Sequence, residues 1–197
     1  MTEALALIVF PLVASATHAL GFWKYNSQAK EGTSKPNFVS WAIWALLASL
    51  NALSFMAITS FVVAAQTFVG AVGCIGTLVH ALVIGKFEWP NWKEWVILAI
   101  SLVTIVVWKF YNPLSANLVL ISALVLSFWP SWEGVWVDPT KEKSLPWILW
   151  GSAYGLTTFV TFLLGGLTLK LTMPVIVTLA HLAVPAICAI RKEKQCR

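Results

Sequence analysis

The stretch PNFVSWAIW at residues 36–44 decides the fold of this chain, because a similar stretch, SLPWILW, returns at residues 144–150. In both stretches a proline precedes two tryptophans spaced W-x-x-W, and a long apolar run without charge follows. Further landmarks repeat in the same order: residues 21–23 (GFW) with 134–136 (GVW), and 77–80 (TLVH) with 178–181 (TLAH). Three repeated landmarks predict a duplicated unit, and a repeat has to be recognised before a fold is assigned.

The composition is that of a membrane protein. Hydrophobic residues make up 59% of the chain and charged residues 11%, and the mean hydropathy is +0.81, whereas ordinary globular chains carry about 25% charged residues. The 12 tryptophans fit this class, since indoles concentrate at membrane interfaces. The net charge of +5 does not indicate a nucleic-acid partner, because the basic residues lie in short loops and at the C-terminus.

The hydropathy pattern predicts an all-α protein with seven transmembrane helices, since about 20 apolar residues cross a bilayer. The spans are Ala4–Phe22, Phe38–Ile58, Val62–Lys86, Trp95–Phe110, Leu114–Val137, Leu145–Leu164 and Leu169–Ile190. They are joined by a polar loop (Trp23–Pro36), a tight turn at Thr59-Ser60, an interfacial loop (Phe87–Glu94), a turn at Tyr111-Asn112-Pro113 and a polar loop (Asp138–Ser144). Ala14-Ser15-Ala16 resembles a signal-peptidase site, but the positive charges follow the first span, which favours an uncleaved helix.

The basic residues predict the orientation of the spans. Only Lys109 and Lys170 lie on one side of the predicted membrane. The other side holds Lys24, Lys30, Lys35, Lys86, Lys93, Lys141, Lys143, Arg191, Lys192, Lys194 and Arg197. Because cytoplasmic loops carry the excess of Lys and Arg, the N-terminus is expected outside and the C-terminus inside.

The repeat and the odd number of spans predict a 3+1+3 arrangement. A three-helix unit reverses direction, so two copies run parallel only if one helix separates them. The predicted units are a first three-helix repeat (1–86), a linker loop and fourth helix (87–112), a second three-helix repeat (113–190) and a short basic cytoplasmic tail (191–197).

The second and sixth spans carry matching polar stripes. Trp44, Ala48 and Asn51 share one helix face. The equivalent face of the sixth span carries Trp150, Tyr154 and Thr157. A flat aromatic beside an amide is a suitable surface for a sugar ring or a small heterocycle. The alternatives are an interfacial tryptophan belt and, for Asn51, a helix–helix hydrogen bond.

The third and seventh spans carry a histidine at matching positions of the repeat. Thr77 and His80 are matched by Thr178 and His181. A histidine in a membrane helix is commonly a satisfied hydrogen-bonding residue, but two that face one bundle are candidates for a solute pathway. Both are expected to be neutral at pH 7, because a charge at the bilayer centre is costly. His18 has no counterpart and is interpreted as structural.

Three prolines lie near the predicted inner ends of the spans: Pro36, Pro130 and Pro146. A proline inside a helix removes a backbone hydrogen bond and produces a kink, so these residues are candidate hinges. The alternative is that Pro36 and Pro146 begin their helices.

Signatures of enzymes and metal proteins are missing from the sequence. It contains no Walker loop, H-E-x-x-H or G-x-S-x-G. The three cysteines, Cys74, Cys188 and Cys196, have no paired spacing. No catalytic residue, metal ligand or cofactor is therefore expected.

The pattern of proline, polar loop and W-x-x-W in a 3+1+3 repeat resembles the SWEET/PQ-loop superfamily, and within it the bacterial SWEET-like membrane proteins. The resemblance implies a transporter in the bacterial inner membrane that moves a sugar or similar neutral metabolite by alternating access. It also implies hinges at Pro36, Pro130 and Pro146, and cavity residues at Asn51, Trp44 and Trp150.

Two other functions stay open at this point. A vitamin-precursor carrier of the nicotinamide-riboside type resembles the same tryptophan-rich plan, and a non-transporting scaffold or receptor-like subunit needs no solute. The expected partners are a small solute and the lipid bilayer. The sequence leaves open whether copies of the chain associate.

Overall fold

The chain is helical over nearly all of the residues that its computed structural model describes, 3–85, 89, 91–110 and 113–195. No strand occurs among these residues, which confirms the all-α prediction for them. The helices are α1 (Glu3–Glu31), α2 (Phe38–Ile58), α3 (Phe61–Ile84), α4 (Trp92–Phe110), α5 (Pro113–Ser127), α6 (Trp129–Val137), α7 (Ser144–Gly165) and α8 (Thr172–Gln195), with a 3-10 turn at Leu169–Leu171.

Six helical segments of the described chain are long and apolar enough to cross a membrane: Leu7–Glu31, Phe38–Ile58, Phe61–Ile84, Val119–Val137, Ser144–Gly165 and Leu169–Lys192. These segments are consistent with an integral membrane protein and include six of the seven expected spans. The expected fourth span, α4, is not among them, because its 19 residues include the charged Lys93, Glu94 and Lys109.

The first helix is longer than its apolar run. α1 continues to Glu31, through most of the stretch predicted to be a polar loop. Between Phe22 and Glu31 there is neither glycine nor proline to end a helix. The end comes at Gly32, whose φ of 79° lies in the left-handed region that glycine adopts at low cost. At 1.5 Å per residue, α1 is about 43 Å long, so its last turns extend beyond a hydrocarbon core of about 30 Å.

The fifth span is two helices rather than one. α5 ends at Ser127, Phe128 is a turn residue, and α6 begins at Trp129. Pro130 lies in the first turn of α6. Because proline lacks an N–H and its ring clashes with the carbonyl four residues earlier, Pro130 favours a break in the helix at this position.

Local capping accounts for the ends of the helices that the sequence located well. Asn37 precedes α2 and its side chain accepts a hydrogen bond from the Ser40 N–H. Asn91 and Glu94 form a reciprocal capping box at the start of α4, since each side chain accepts a bond from the other's backbone N–H. The Asn37 amide also donates to Glu94 Oε1 at 2.8 Å, which ties the starts of α2 and α4 together.

Several predicted boundaries fall outside the described residues. They are the end of the third span at Lys86, residues 87, 88 and 90 of the interfacial loop, the turn at Tyr111-Asn112, and the last two residues of the tail. α8 extends to Gln195, well into the predicted tail.

The helices pack in a definite order around one core. α3 packs against both α1 and α2, and α8 packs against α5, α6 and α7. These two groups meet where α1 packs on α7 and α2 packs on α5. α4 lies against α5 and α2. Aromatic side chains form most of the core volume near the loop ends of α2 and α7.

Two glycines of α3 give a test of this packing. A Cβ at Gly73 would overlap the ring of Phe22 on α1, whereas a Cβ at Gly76 would meet no atom within 4 Å. Gly73→Ala is expected to destabilise the protein by about 1–3 kcal/mol through overpacking. Gly76→Ala is expected to be neutral or to stabilise it by up to about 1 kcal/mol, since alanine favours a helix. Thermal melts of the two purified variants in detergent decide it; equal shifts would contradict the contact of α3 with α1.

Candidate functional site

The tryptophans of the two W-x-x-W stretches meet inside the bundle. Trp41 contacts Trp44 (ring centroids 5.0 Å apart) and Trp147 contacts Trp150 (5.3 Å). Trp44 also contacts Trp147 (6.0 Å), and Trp150 contacts Trp41 (6.1 Å). The four rings close a square of edge-to-face contacts, the geometry that the ring quadrupole favours. We call these four residues the tryptophan quartet. None is more than 7% exposed, which excludes the interfacial-belt interpretation for them.

Two phenylalanines flank the quartet in the same way. Phe22 of α1 lies 6.2 Å from Trp41 and 5.1 Å from Trp150. Phe128, at the break between α5 and α6, lies 6.2 Å from Trp147 and 5.4 Å from Trp44. Exchange of Trp41 with Trp147 and of Trp44 with Trp150 turns one set of contacts into the other. The surroundings of the quartet therefore share the near two-fold arrangement of its rings.

The two halves differ in one polar contact. Trp44 Nε1 donates to Ser127 Oγ at 2.7 Å, which links α2 to α5. The corresponding indole nitrogen of Trp150 is buried and has no hydrogen-bond partner. It lies against Gly21 of α1, where a Cβ would be only 2.5 Å away. A hydrogen bond thus holds Trp44 in place, whereas close packing against α1 holds Trp150.

A small cavity of about 40 Å³ adjoins the quartet in the centre of the bundle. It is lined by His18, Phe22, Trp41, Trp44, Ala48, Asn51, Gly70, Cys74, Leu124, Phe128, Trp147, Trp150, Tyr154, Val177 and His181. The lining contains no carboxylate and no lysine or arginine. A cavity of this size holds little more than a water molecule, so a solute as large as a sugar requires it to open.

The lining residues recur at a constant separation along the chain. All but Asn51 form pairs that are 106 or 107 positions apart: His18 with Leu124, Phe22 with Phe128, Trp41 with Trp147, Trp44 with Trp150, Ala48 with Tyr154, Gly70 with Val177, and Cys74 with His181. Asn51 would pair with Thr157, which is buried one turn further along α7. The lining residues from the first part of the chain therefore have counterparts at a nearly constant distance further along it.

The pairs make one wall polar and the other apolar. Tyr154 lies between two imidazoles, with ring centroids 5.2 Å from His18 and 5.4 Å from His181. Their counterparts are Leu124, Ala48 and Cys74. His181 Nδ1 donates to the backbone oxygen of Val177 at 2.8 Å, which leaves Nε2 for another partner. Hydrogen-bonding groups thus concentrate on one side of the cavity.

Gln66 forms a buried hydrogen-bonded group with His18, which lines the cavity, and with Thr157. The Gln66 amide nitrogen donates to Nδ1 of His18, and Thr157 Oγ1 donates to Gln66 Oε1 at 3.3 Å. The side chain of Gln66 is fully buried. It joins α3 to α1 and α7, so this hydrogen-bonded group links three of the helices around the cavity.

A larger vestibule of about 290 Å³ lies on the loop side of the quartet. Trp41 and Trp44 line both the vestibule and the central cavity, so the quartet lies between them. The polar and charged residues of the vestibule are Tyr25, Lys35, Asn37, Ser40, Asn91, Glu94, Ser131, Glu133, Lys141 and Glu142.

The nearby loop is ordered by Asp138, whose Oδ1 accepts bonds from the Thr140 hydroxyl and N–H. The Thr140 hydroxyl and backbone bonds lower the pKa of Asp138.

Five of the predicted site residues line the central cavity: Trp44, Asn51, Trp150, Tyr154 and His181. Thr157 lies beside it through its bond to Gln66. Thr77 and Thr178 lie elsewhere. Thr77 is buried on α3 and its hydroxyl has no hydrogen-bond partner, while Thr178 donates to the Pro174 backbone oxygen of its own helix.

The structure does not bring His80 and His181 together. His80 lies towards the loop end of α3, where its Nε2 donates to the Asn26 backbone oxygen at 3.2 Å. The residue that corresponds to His181 in the cavity is Cys74, and the second imidazole of the cavity is His18. The predicted pairing of His80 with His181 matched identical letters six positions out of register, and the structural interpretation of His18 overlooked its place in the cavity wall.

The three candidate hinge prolines take up different positions. Pro36 precedes α2, and Pro146 is the third residue of α7, so both lie at helix starts. Pro130 alone marks an interruption within a predicted span, where it follows the Phe128 turn and also lines the vestibule.

Sequence reasoning missed several residues of the site, among them Cys74, Phe128 and Glu142. The first two line the cavity. The separation of 106 between the two W-x-x-W pairs, carried along the chain, would have identified Phe128 as the partner of Phe22, and a shift of one further position would have identified Cys74 as the partner of His181. Among the described residues, no group of three or more His, Cys, Asp and Glu side chains is placed to hold a metal ion.

Comparisons of the chain with protein-family models, with curated proteins and with solved structures gave no match.

Proposed function

We propose that this chain is a membrane transporter that moves a small neutral solute by facilitated diffusion. The observation that carries the proposal is a central cavity whose lining residues, all but one, recur at a separation of 106 or 107 positions along the chain. Transporters commonly hold their solute near the midplane, between two structural repeats that move against each other.

The packing order of the helices supports the proposed 3+1+3 arrangement. α3 packs against α1 and α2, and in the same way α8 packs against the α5–α6 segment and α7. The two groups meet through α1 with α7 and through α2 with α5. If α1 is exchanged with the α5–α6 segment and α2 with α7, the contact of α1 with α7 becomes the contact of α5 with α2. This pattern, with the two-fold quartet, is what two parallel repeats about an axis along the membrane normal would produce.

The chemistry of the cavity favours a neutral solute with one polar edge. Its lining offers two imidazoles and a phenol on one side, and on α2 the amide of Asn51, while the rest of the lining is apolar or small. A charged solute would find no counter-ion there, and a buried unpaired charge is expensive. Neutral histidine provides one donor and one acceptor, which suits hydroxyl or amide groups.

A nicotinamide-riboside-type carrier is the second candidate. Nicotinamide riboside is a pyridinium cation rather than a neutral solute, and the aromatic faces of the quartet favour it only through cation–π contacts, since the cavity lining offers no carboxylate. Flat aromatic rings such as Trp44 and Trp150 provide stacking surfaces for a heterocycle, while Tyr154 and His181 can bond to its polar edge. A sugar would use the same rings through its C–H faces, so the two candidates are separated by experiment. A non-transporting scaffold would have no use for a central cavity lined by hydrogen-bonding groups.

Uptake into proteoliposomes tests the proposal directly. The purified protein should equilibrate either labelled D-glucose or labelled nicotinamide riboside faster than protein-free liposomes, with saturation and without accumulation above the external concentration. Competition by unlabelled nucleosides separates the two solutes. If a broad panel of sugars and nucleosides gives neither flux nor thermal stabilisation, the scaffold interpretation replaces the transporter.

The proposed location is the bacterial inner membrane, with the vestibule facing the cytoplasm. The basic residues that line the vestibule are Lys35 and Lys141. Both belong to the side of the predicted membrane that holds most of the lysines and arginines. A C-terminal tag is expected to react with an antibody only after the membrane is permeabilised, and an N-terminal tag in intact cells. The reverse pattern would invert the direction in which the cavity opens and contradict the assigned orientation.

A further inference from the structure

The vestibule contains one carboxylate that is bonded directly to the aromatic layer. Glu142 lies in the loop before α7, and its Oε2 accepts a hydrogen bond from Trp147 Nε1 at 3.3 Å. Its Oε1 accepts one from the Tyr25 hydroxyl of α1 at 3.1 Å. Hydrogen bonds to an ionised acceptor are stronger than those between neutral groups. One side chain therefore holds α1 and α7 together at the vestibule floor.

Both donors are in contact with the tryptophan quartet. Trp147 is a member of it, and the Tyr25 ring lies 5.0 Å from Trp41 and 5.5 Å from Trp150. Glu142 thus fixes the orientation of rings that contact the whole square. The positions that correspond to Tyr25 and Glu142 in the other half, by the separation of 106, are Ser131 and Pro36. The other half therefore has no equivalent of this carboxylate contact.

We propose that Glu142 is the latch of an inner gate: its two hydrogen bonds hold the tryptophan quartet closed between the vestibule and the central cavity. The purpose of such a gate rests on the proposed transport function, although its existence does not. Opening must separate Trp147 or Tyr25 from Glu142, and the partly buried carboxylate then loses one of its donors, which costs free energy unless other donors replace it. A solute with hydroxyl or N–H groups supplies such donors as it enters, whereas an anionic solute is repelled.

A native thiol reports on the gate without any use of transport. Cys74 is a free, buried cysteine in the lining of the central cavity. In full-length protein carrying Cys188→Ala and Cys196→Ala, the rate of alkylation of Cys74 by iodoacetamide measures how often a small neutral molecule passes into the cavity. Intact-mass spectrometry gives this rate, and iodoacetamide has no charge that the loss of Glu142 would affect.

Three variants probe the latch. Glu142→Ala removes both acceptors, Glu142→Gln keeps the shape but removes the charge, and Tyr25→Phe removes one donor while it keeps the ring. Each is expected to raise the alkylation rate, Glu142→Ala by about tenfold, which corresponds to about 1.4 kcal/mol. The matched control is Glu133→Gln, because Glu133 also lines the vestibule but pairs with Lys93 at 3.3 Å, away from the quartet. It should alkylate at the parent rate.

The outcomes separate the latch from the transport proposal. Parent alkylation rates in folded Glu142→Gln and Tyr25→Phe would overturn the latch, as would an equal rise in Glu133→Gln, because that would reflect the charge of the vestibule. If Glu142→Ala does not fold, the other two variants decide. Faster alkylation in a protein that transports nothing keeps the latch and removes the proposed function. Normal uptake together with the parent alkylation rate in the Glu142 variants keeps the proposed transport function and removes the latch.

Discussion

Trp41→Ala is expected to lower the melting temperature of the purified protein by roughly 10 °C. Trp41 is 2% exposed and contacts Trp44, Trp150, Phe22 and Tyr25. Loss of a buried tryptophan costs about 3–5 kcal/mol through lost burial and the cavity left behind. For a chain of 150–250 residues each kcal/mol shifts the melting temperature by about 2–4 °C. The measurement is a thermal melt in detergent.

The control for this variant is another tryptophan on the same side of the bundle. Trp92 at the start of α4 is 72% exposed, so Trp92→Ala removes interfacial contact with detergent rather than packing. It should leave the melting temperature nearly unchanged. If the two variants have the same melting temperature, Trp41 is not part of a packed quartet, and the quartet does not separate the central cavity from the vestibule.

Asn51→Leu is expected to reduce solute uptake by about tenfold or more while the protein stays folded. Asn51 is buried and lines the central cavity. It is the one lining residue whose counterpart 106 positions later, Thr157, does not line the cavity. Leucine fills similar space, so the helix should still insert. Loss of a hydrogen bond to the solute costs about 1–3 kcal/mol, and each 1.4 kcal/mol is about tenfold. Initial uptake rates in proteoliposomes, at matched protein density, give the effect.

Ser49→Ala on the same helix is the matched control. The Ser49 hydroxyl donates only to the Ala45 backbone oxygen of α2 at 2.7 Å and lies outside the cavity lining. It should transport at the parent rate. Normal uptake by Asn51→Leu would show that the amide serves helix packing instead of the solute.

The helices that sequence predicted well carry their boundary signals in local chemistry. α2 begins and ends where predicted, because Asn37 caps its start and the Thr59-Ser60 turn follows its end. α1 and the fifth span were predicted less well for the opposite reason. A lysine-rich stretch after Phe22 still forms helix in the absence of a breaker, and Pro130 interrupts an apolar run that hydropathy alone treats as continuous.

The limits of the site prediction have a similar origin. W-x-x-W pairs and the stripe through Asn51 were predictable, because helical spacing places such residues on one face. The pairing of His80 with His181 failed since identical letters need not occupy equivalent turns. The role of Glu142 could not be predicted for another reason. A loop residue has no helical periodicity, and only folding brings its carboxylate to Tyr25, which is distant in the sequence.

The tryptophan quartet also makes the protein its own optical probe. The electronic transitions of indole rings at these separations couple, so we expect these four of the twelve tryptophans to contribute a shared circular dichroism signal. The near-ultraviolet circular dichroism of the chain therefore depends on whether the square is intact, and motion of one ring changes the sign and strength of that signal. The state of the proposed inner gate can be followed in time by this signal, without attaching any dye.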